Sequence, residues 1–317
     1  ANAVASHLGL AHHEVCLKND DALNLVDDVP LAYDQPFADS SQIPTMAVCK
    51  FAKNNVDVVL TGDGGDELFG GYNRHRLINK IITFNRYMPN ILINTIKYFL
   101  HHAAQVIPNS SSIERVPLIT DKITKISKVL GLHKEEDIYL NLISVSQNDI
   151  KYEDIKSIEF EQLSDKQLTI QLFDLLMYLP YDLLVKVDRA SMYYSLESRA
   201  PFLDSELQKF VWSLPSELRH ASKENKHLAR ILLERYVPRK LTDRPKMGFA
   251  VPLESWLDNE LKGDIINNLT NMSESLKCYI DPQESHRIIK HYYSGNKNYK
   301  FQIWNLLQLY NWLDKNN

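Results

Sequence analysis

The chain has 317 residues, of which 44% are hydrophobic and 24% charged, and its formal net charge at pH 7 is −4. This composition is that of an ordinary globular protein with one large domain or two modest ones. The slightly acidic balance and the lack of a long basic block argue against nucleic acid as a partner. No run approaches the roughly 18 apolar residues of a bilayer span, and the first residues lack a signal peptide's features, so we expect a cytoplasmic protein without a membrane partner.

The cysteines indicate a reducing compartment. Cys16, Cys49 and Cys278 are few, odd in number and widely scattered. That usage fits reduced thiols better than a disulfide framework or a zinc site.

The first 75 residues predict an α/β arrangement. In chain order the pattern predicts a helix over 1–8 ended by Gly9, a strand over 13–17, a helix over 43–54 capped by Ser41, and a buried strand over 56–60. Alternation of helix and strand implies a parallel, doubly wound sheet. Because a domain rarely starts inside such a unit, we expect a further strand and loop upstream of Ala1.

A glycine-rich acidic loop follows the last of these strands. Residues 61–72 contain five glycines and three carboxylates. Glycines let the backbone approach a ligand closely, and carboxylates supply the hard oxygens that Mg²⁺ prefers. Such a string alone is more often a surface turn, but the carboxyl end of a buried strand is where open α/β sheets hold ligands. The sequence therefore predicts a site for phosphate and metal.

From residue 76 to residue 317 the periodicity is mostly helical, so the remainder of an α/β part over 1–75 precedes a helical part. Two basic residues in this part, Lys186 and Arg189, are three apart on a helix and share a face. Such a pair could hold a triphosphate or a substrate carboxylate, or could anchor the helix by pairing with Asp188 or Glu197. Further along, Lys246 precedes a glycine and an aromatic residue in a loop, as a mobile cation near a ligand would.

Three motifs, taken together, resemble the synthetase domain of bacterial-type, glutamine-hydrolysing asparagine synthetases. They are the loop Thr61-Gly62-Asp63-Gly64-Gly65-Asp66-Glu67-Leu68-Phe69-Gly70-Gly71-Tyr72, the segment from Asp188-Arg189-Ala190-Ser191-Met192 to Pro201-Phe202-Leu203-Asp204, and Lys246-Met247-Gly248-Phe249. The resemblance implies an ATP pyrophosphatase fold of the adenine nucleotide alpha hydrolase kind, with a mostly helical second half. It implies ATP and Mg²⁺ as cofactors.

The implied reaction amidates aspartate. ATP activates the side-chain carboxylate as aspartyl-AMP, pyrophosphate leaves, and ammonia derived from glutamine then attacks the acyl carbon to give asparagine. The partners are thus the small molecules aspartate, ATP and ammonia. The oligomeric state stays open, a homodimer included.

The resemblance also implies roles for single residues. Asp63 and Lys246 match catalytic positions, the first near the reacting amine and the second near the charge that develops during adenylation. Asp66 matches a ligand of Mg²⁺, with Glu67 as its neighbour. The expected ATP-binding residues are Thr61, Gly62, Asp63, Gly64, Gly65 and Lys186. The expected substrate-binding residues are Asp39, Ser40, Ser41 and Arg189, the first three on a polar loop after Tyr33.

Two departures from the family pattern limit this reading. The chain contains no Ser-Gly-Gly-x-Asp-Ser loop to cradle pyrophosphate, and residue 1 is alanine where relatives begin an upstream glutaminase domain with cysteine. We therefore expect a truncated synthetase domain that is inactive alone. The alternatives are another adenylating, amide-forming ligase, which would tend to carry tyrosine in place of Asp63, and a non-catalytic helical remnant that binds a partner.

Overall fold

The computed structural model describes residues 1–106, 115–144, 166–219, 224–243, 251–272 and 274–316. This part of the chain is mostly helical. The α-helices in chain order are α1 (Asn2–Leu8), α2 (Asn19–Asn24), α3 (Val29–Ala32), α4 (Gln42–Lys53), α5 (Gly65–Phe69), α6 (Asn73–Tyr87), α7 (Asn90–Val106), α8 (Arg115–Val129), α9 (Glu135–Ile143), α10 (Lys166–Phe173), α11 (Val185–Tyr193), α12 (Ser205–Ser213), α13 (Ser216–Arg219), α14 (His227–Glu234), α15 (Arg239–Thr242), α16 (Leu253–Asp258), α17 (Lys262–Thr270), α18 (Glu274–Lys277), α19 (Pro282–Tyr293) and α20 (Lys300–Asn316). A π-helical segment covers Asp174–Leu184, and 3₁₀ turns cover Pro201–Leu203 and Lys297–Tyr299.

The chain forms two compact units. The first contains residues 1–33, 39–75 and 171–251, and the second contains residues 34–38, 76–170 and 252–317. This division differs from the one expected at residue 75, because the chain returns to the first unit at Gln171. The motif-bearing segments 61–72 and 188–204 therefore belong to the same unit.

The sheet of the described residues has two parallel strands. β1 (Val58–Leu60) pairs with β2 (Glu197–Arg199), with Val59 opposite Ser198. A doubly wound sheet is not seen in these residues. The strand expected over 13–17 is wrong: residues 11–18 have no regular structure, since no described strand lies beside them to satisfy their backbone groups. β1 itself is confirmed but not buried, and Leu60 is 74% exposed.

Two helix boundaries show how local chemistry decides the ends. α1 ends at Gly9, which has φ 66°, as the glycine predicts. α4 follows Ser41, but the Ser41 hydroxyl donates to Asp39 Oδ2 at 2.7 Å and does not cap the helix. The expected cap is therefore wrong, because a nearby carboxylate is the stronger acceptor.

A long helical stretch runs through α10, the π-helical segment and α11. The π segment contains Pro180, which has no backbone N–H to donate. The i to i+5 hydrogen bonds of a π-helix accommodate it. Over Gln167–Tyr193 this stretch is long and apolar enough to cross a membrane by length and composition, against the expectation that no such run exists. A core helix of a soluble protein meets the same criterion, so the finding is weak evidence of a span.

The second unit has its own core. α17 packs on α19 and α20, and Trp256, Trp304 and Tyr292 are fully buried there. α6 and α7 are separate helices, because Pro89 lies between them and interrupts the helical pattern. The three cysteines are free thiols, as predicted.

Candidate active site

The carboxyl ends of the two parallel strands open into a cavity of the first unit. Its volume is about 470 Å³. The residues that line it come from the ends of β1 and β2, the π-helical segment and α11: Thr61, Asp63, Pro180, Leu184, Val185, Val187, Asp188, Arg189, Ser198, Ala200 and Leu203. Ligands of α/β sheets lie at this end of the strands.

Close packing joins the glycine loop to the turn after β2. The backbone N–H of Thr61 donates to the Arg199 carbonyl at 2.8 Å and extends the pairing of the strands. Gly64 has φ 82°, and a Cβ there would lie 2.3 Å from Leu203 Cδ2. Phe202 covers Gly65 in the same way, 3.0 Å from a Cβ placed there. Glycine at these positions therefore lets two sequence-distant motifs meet.

Three predicted site residues line the cavity together, namely Thr61, Asp63 and Arg189. Arg189 Nη1 lies 2.5 Å from Asp188 Oδ2, so the ion pair weighed from the sequence forms while both residues still border the cavity. The Arg189 side chain is 41% exposed, which leaves its planar donor face accessible to an anionic ligand.

The Thr61 hydroxyl is a second sign of a ligand. Its oxygen is buried and has no hydrogen-bond partner among the described residues. Buried polar groups are normally satisfied, so this hydroxyl at the edge of the cavity is a candidate contact for a ligand. A nucleotide phosphate or ribose would supply acceptors and donors for this hydroxyl, and the ATP-binding role of Thr61 stays a prediction. Gly62 has open space around its Cα, also consistent with a close ligand.

Asp39, Ser41 and Lys186 form a separate polar cluster in the same unit. Lys186 Nζ donates to Asp39 Oδ2 at 2.6 Å, and the backbone and hydroxyl of Ser41 donate to the same carboxylate at 2.9 and 2.7 Å. Burial alone would raise the pKa of Asp39, but the Lys186 ammonium and these hydrogen bonds hold it below its usual range. Lys186 thus pairs with Asp39, not with Asp188 or Glu197. Ser40 lies half-buried between the two loop residues.

Asp182 is a candidate that sequence reasoning missed. Burial and the nearby Asp39 carboxylate raise the pKa of Asp182 to about 6, against the opposing effects of Lys186 and a hydrogen bond from Tyr178. A carboxylic acid that titrates near neutrality is suited to proton transfer. Its position four residues before Lys186 in an apolar helix was the signal that could have found it.

Glu67 faces the interior. It is 1% exposed, and its Oε1 accepts a hydrogen bond from Tyr72 at 2.7 Å. Burial raises the pKa of Glu67, although the hydrogen bond from Tyr72 acts the other way. Its Oε2 is buried and has no hydrogen-bond partner among the described residues, and the expectation that Glu67 helps to hold Mg²⁺ stays a prediction.

Asp66 is more accessible than Glu67. Its side chain is 24% exposed, and Lys226 Nζ lies 3.1 Å from its Oδ2. No group of three or more possible ligands from His, Cys, Asp and Glu occurs among the described residues. Mg²⁺ commonly binds through one or two carboxylates and the phosphates of a nucleotide. Asp66 alone is therefore compatible with a cation that arrives on ATP.

A buried ionic network supports the segment that follows the loop. Arg74 makes a bidentate contact with the fully buried Asp174, with distances from 2.7 to 3.0 Å. His75 Nε2 lies 2.5 Å from the same carboxylate. Burial would raise the pKa of Asp174, but His75 and Arg74 hold it below its usual range. Tyr72 and Tyr178 flank the Arg74 guanidinium at 3.8 and 4.7 Å.

Three further residues of the motifs are Lys246, Glu197 and Arg199. Lys246 and its motif lie outside the described residues, and its catalytic role stays a prediction. Glu197 and Arg199 pair with each other at 2.6 Å on β2.

Comparison with known proteins matches this arrangement to a family. A sequence model of the asparagine synthase family matches residues 1–314. A glutamine-hydrolysing asparagine synthetase 1 of Bacillus subtilis is 29% identical over 320 residues, which cover 98% of this chain and 49% of the relative. A putative glutamine-hydrolysing asparagine synthetase of Mycobacterium tuberculosis is 27% identical over 327 residues, with 98% and 47% covered.

A third relative has a name of the same kind. A putative glutamine-hydrolysing asparagine synthetase 2 of Methanocaldococcus jannaschii is 33% identical over 198 residues, which cover 60% of this chain and 36% of the relative. The chain spans about half the length of the first two relatives. On the match over residues 1–314, the chain belongs to the asparagine synthase family.

Proposed function

We propose that this chain forms the synthetase part of an ATP-dependent enzyme that amidates aspartate to asparagine through an aspartyl-AMP intermediate. The observation that carries the proposal is the shared cavity of Thr61, Asp63 and Arg189, where two motifs of the family meet at the strand ends. The relatives' names describe glutamine-hydrolysing asparagine synthetases, and this supports glutamine as the source of ammonia. The doubly wound ATP pyrophosphatase sheet of the resembled family belongs to the same proposal.

The chemistry has two steps. The side-chain carboxylate of aspartate attacks the α-phosphorus of ATP, an acyl–phosphate bond forms, and the bond to pyrophosphate breaks. Ammonia then attacks the acyl carbon, the bond to AMP breaks, and the nitrogen loses a proton. Each step concentrates negative charge on a leaving phosphate, so cations near that phosphate lower the barrier.

The residues of the cavity are suited to these tasks. Arg189 presents a planar cation that can pair with a carboxylate or a phosphate through two hydrogen bonds. Thr61 offers its unpartnered hydroxyl to the nucleotide. Asp63 lines the same cavity and could take up the proton that the nitrogen releases. Lys246, on its motif, would act on the charge that develops during adenylation.

Metal and substrate would be held by neighbouring groups. Asp66 would hold a Mg²⁺ ion that is bound to the phosphates, and that ion would neutralise charge on the departing pyrophosphate. The cluster of Asp39, Ser41 and Lys186 offers an acid, a hydroxyl and a base for the charged groups of aspartate. Asp182, with its pKa raised to about 6, stands by this cluster as a further proton acceptor.

The test uses the full-length protein that carries this chain. With ATP, Mg²⁺, aspartate and ammonia, it should release pyrophosphate and form asparagine and AMP in equal amounts. Asp63→Asn should lower the rate of asparagine formation about 100-fold or more, the usual contribution of a positioned acid–base group. Glu206→Gln, a matched change of an exposed acid on α12, should leave the rate unchanged.

Other results would decide against the proposal. Pyrophosphate release without any aspartate requirement would favour another adenylating ligase of the superfamily. Absence of nucleotide binding by the full-length protein would favour a helical binding remnant. A normal asparagine rate in Asp63→Asn would remove Asp63 from the reaction.

A further inference from the structure

Asp66 has a basic side chain beside it. Lys226 Nζ lies 3.1 Å from Asp66 Oδ2. The neighbouring Asn225 donates its side-chain amide to the Gly71 carbonyl at 3.0 Å. Residues 225 and 226, directly before α14, are thus fastened to the glycine loop that carries Asp66.

The contact depends on the absence of a side chain at Gly71. A Cβ at that position would lie 1.7 Å from Asp66 Oδ1 and 2.5 Å from Lys226 Cε. The lack of a side chain at Gly71 therefore leaves room for both the Asp66 carboxylate and the Lys226 side chain. A divalent cation that binds Asp66 Oδ2 has to displace the Lys226 ammonium group from that oxygen.

Lys226 is the neighbour that can move. Its side chain is 36% exposed and its Nζ lies 3.1 Å from Asp66 Oδ2. Two other ion pairs of this unit are less exposed to solvent. Lys186 Nζ lies 2.6 Å from Asp39 Oδ2 and the Lys186 side chain is 10% exposed, while Asp174, the partner of Arg74, is fully buried. Ion pairs that are exposed to solvent are weak and exchange readily. The backbone of Lys226 also has φ 57°, a conformation that a residue with a side chain rarely adopts.

We propose that Lys226 is an exchangeable counterion that occupies Asp66 until a divalent cation replaces it. The inference rests on the proposed function, in which Asp66 receives a phosphate-bound cation. A divalent ion at Asp66 and an ammonium group on the same carboxylate repel each other, so the two states exclude each other. Lys226 then opposes free Mg²⁺, while a cation that arrives with nucleotide phosphates brings negative charge that offsets the repulsion. The pair makes cation loading depend on the nucleotide.

Binding of Mn²⁺ to the full-length protein without nucleotide tests the exchange. Free Mn²⁺ is measured by electron paramagnetic resonance, which needs no catalytic turnover. Lys226→Met removes the charge and keeps an unbranched chain, and it should tighten Mn²⁺ binding about tenfold. Lys226→Arg keeps the charge and should keep the wild-type affinity. Lys226→Gln gives the same comparison if the Met variant does not fold.

The tighter Mn²⁺ binding expected of Lys226→Met must depend on Asp66. Adding Asp66→Asn to Lys226→Met should remove the tighter binding. Unchanged or weaker Mn²⁺ binding in both neutral variants would overturn the proposal, and so would tight binding that persists in the double variant. A separate assay tests the proposed function. That function fails if the wild-type protein releases no pyrophosphate in the presence of aspartate, ATP and ammonia.

Discussion

Removing the charge of Asp39 should destabilise the first unit, because Lys186 would lose its nearest carboxylate in a buried position. Asp39→Asn changes an acceptor that receives hydrogen bonds of 2.6, 2.7 and 2.9 Å from Lys186 and Ser41. Breaking a fully buried ion pair costs about 3–5 kcal/mol. The Asp39 side chain is 26% exposed, so water solvates the unpaired Lys186 in part and reduces the cost. We expect the free energy of unfolding to fall by about 2–4 kcal/mol.

Urea unfolding of the full-length protein, followed by far-ultraviolet circular dichroism, measures the loss. Glu206→Gln is the control, since its partner Lys209 is 73% exposed and surface pairs contribute about 0–1 kcal/mol. The double variant Asp39→Asn with Lys186→Met should be more stable than Asp39→Asn alone, because no buried charge is left unpaired. Equal stability of Asp39→Asn and the control at pH 7 would refute the reasoning.

The pH dependence follows from the direction of the pKa. The pKa of Asp39 is lowered in the folded protein, so its contribution is present above the unfolded value of about 4 and is lost as the pH falls through the folded value. The difference in the free energy of unfolding between wild type and Asp39→Asn should therefore shrink below about pH 4. A difference that stays constant to lower pH would contradict the pairing.

Three further changes have defined outcomes. Asp174→Asn leaves Arg74 with a weakened partner at a fully buried position and should cost about 3 kcal/mol or more in urea unfolding, with wild-type stability as the contrary result. The pKa of Asp182 is raised to about 6 in the folded protein. Its contribution to the free energy of unfolding is therefore fully present below about pH 4 and is lost as the pH rises through about 6. Asp182→Asn should therefore be more stable than wild type by about 1–3 kcal/mol at pH 8, and a less stable variant would contradict the assignment. Gly64→Ala places a Cβ 2.3 Å from Leu203 at φ 82° and should lower the melting temperature and weaken nucleotide binding, measured by calorimetry, whereas unchanged values would show that the loop relaxes freely.

Part of the fold could be predicted because its signals are local. Gly9 ends α1, and the apolar run 56–60 gives β1 directly before the glycine loop. The strand over 13–17 could not be judged in this way, since a strand forms only when a neighbour satisfies its backbone. The two-unit division was equally hidden, because the return of the chain at Gln171 is a tertiary event.

The candidate site was predictable at its loop and less so around it. Thr61 and Asp63 line the cavity that the glycine pattern indicates. Glu67 looked like Asp66 in sequence, but the short helix α5 turns it toward Tyr72. Successive residues of a helix point about 100° apart, so adjacent acids seldom face one ligand.

Partners from distant segments escaped sequence reasoning altogether. Lys186 meets Asp39 across 147 positions, and Lys226 meets Asp66 across 160. Neither contact has a local signature, because the partners share no helix or strand. The fold of the first unit brings residues 39–41 and 225–226 beside the motif-bearing segments.

The most direct test of the central claim follows an oxygen label from aspartate. The full-length protein is given ATP, Mg²⁺, ammonia and aspartate that carries ¹⁸O in its side-chain carboxylate, and the products are analysed by mass spectrometry. If the carboxylate is adenylated in this site, one labelled oxygen appears in AMP and none in pyrophosphate. Label in inorganic phosphate together with ADP, or no transfer at all, would contradict the account.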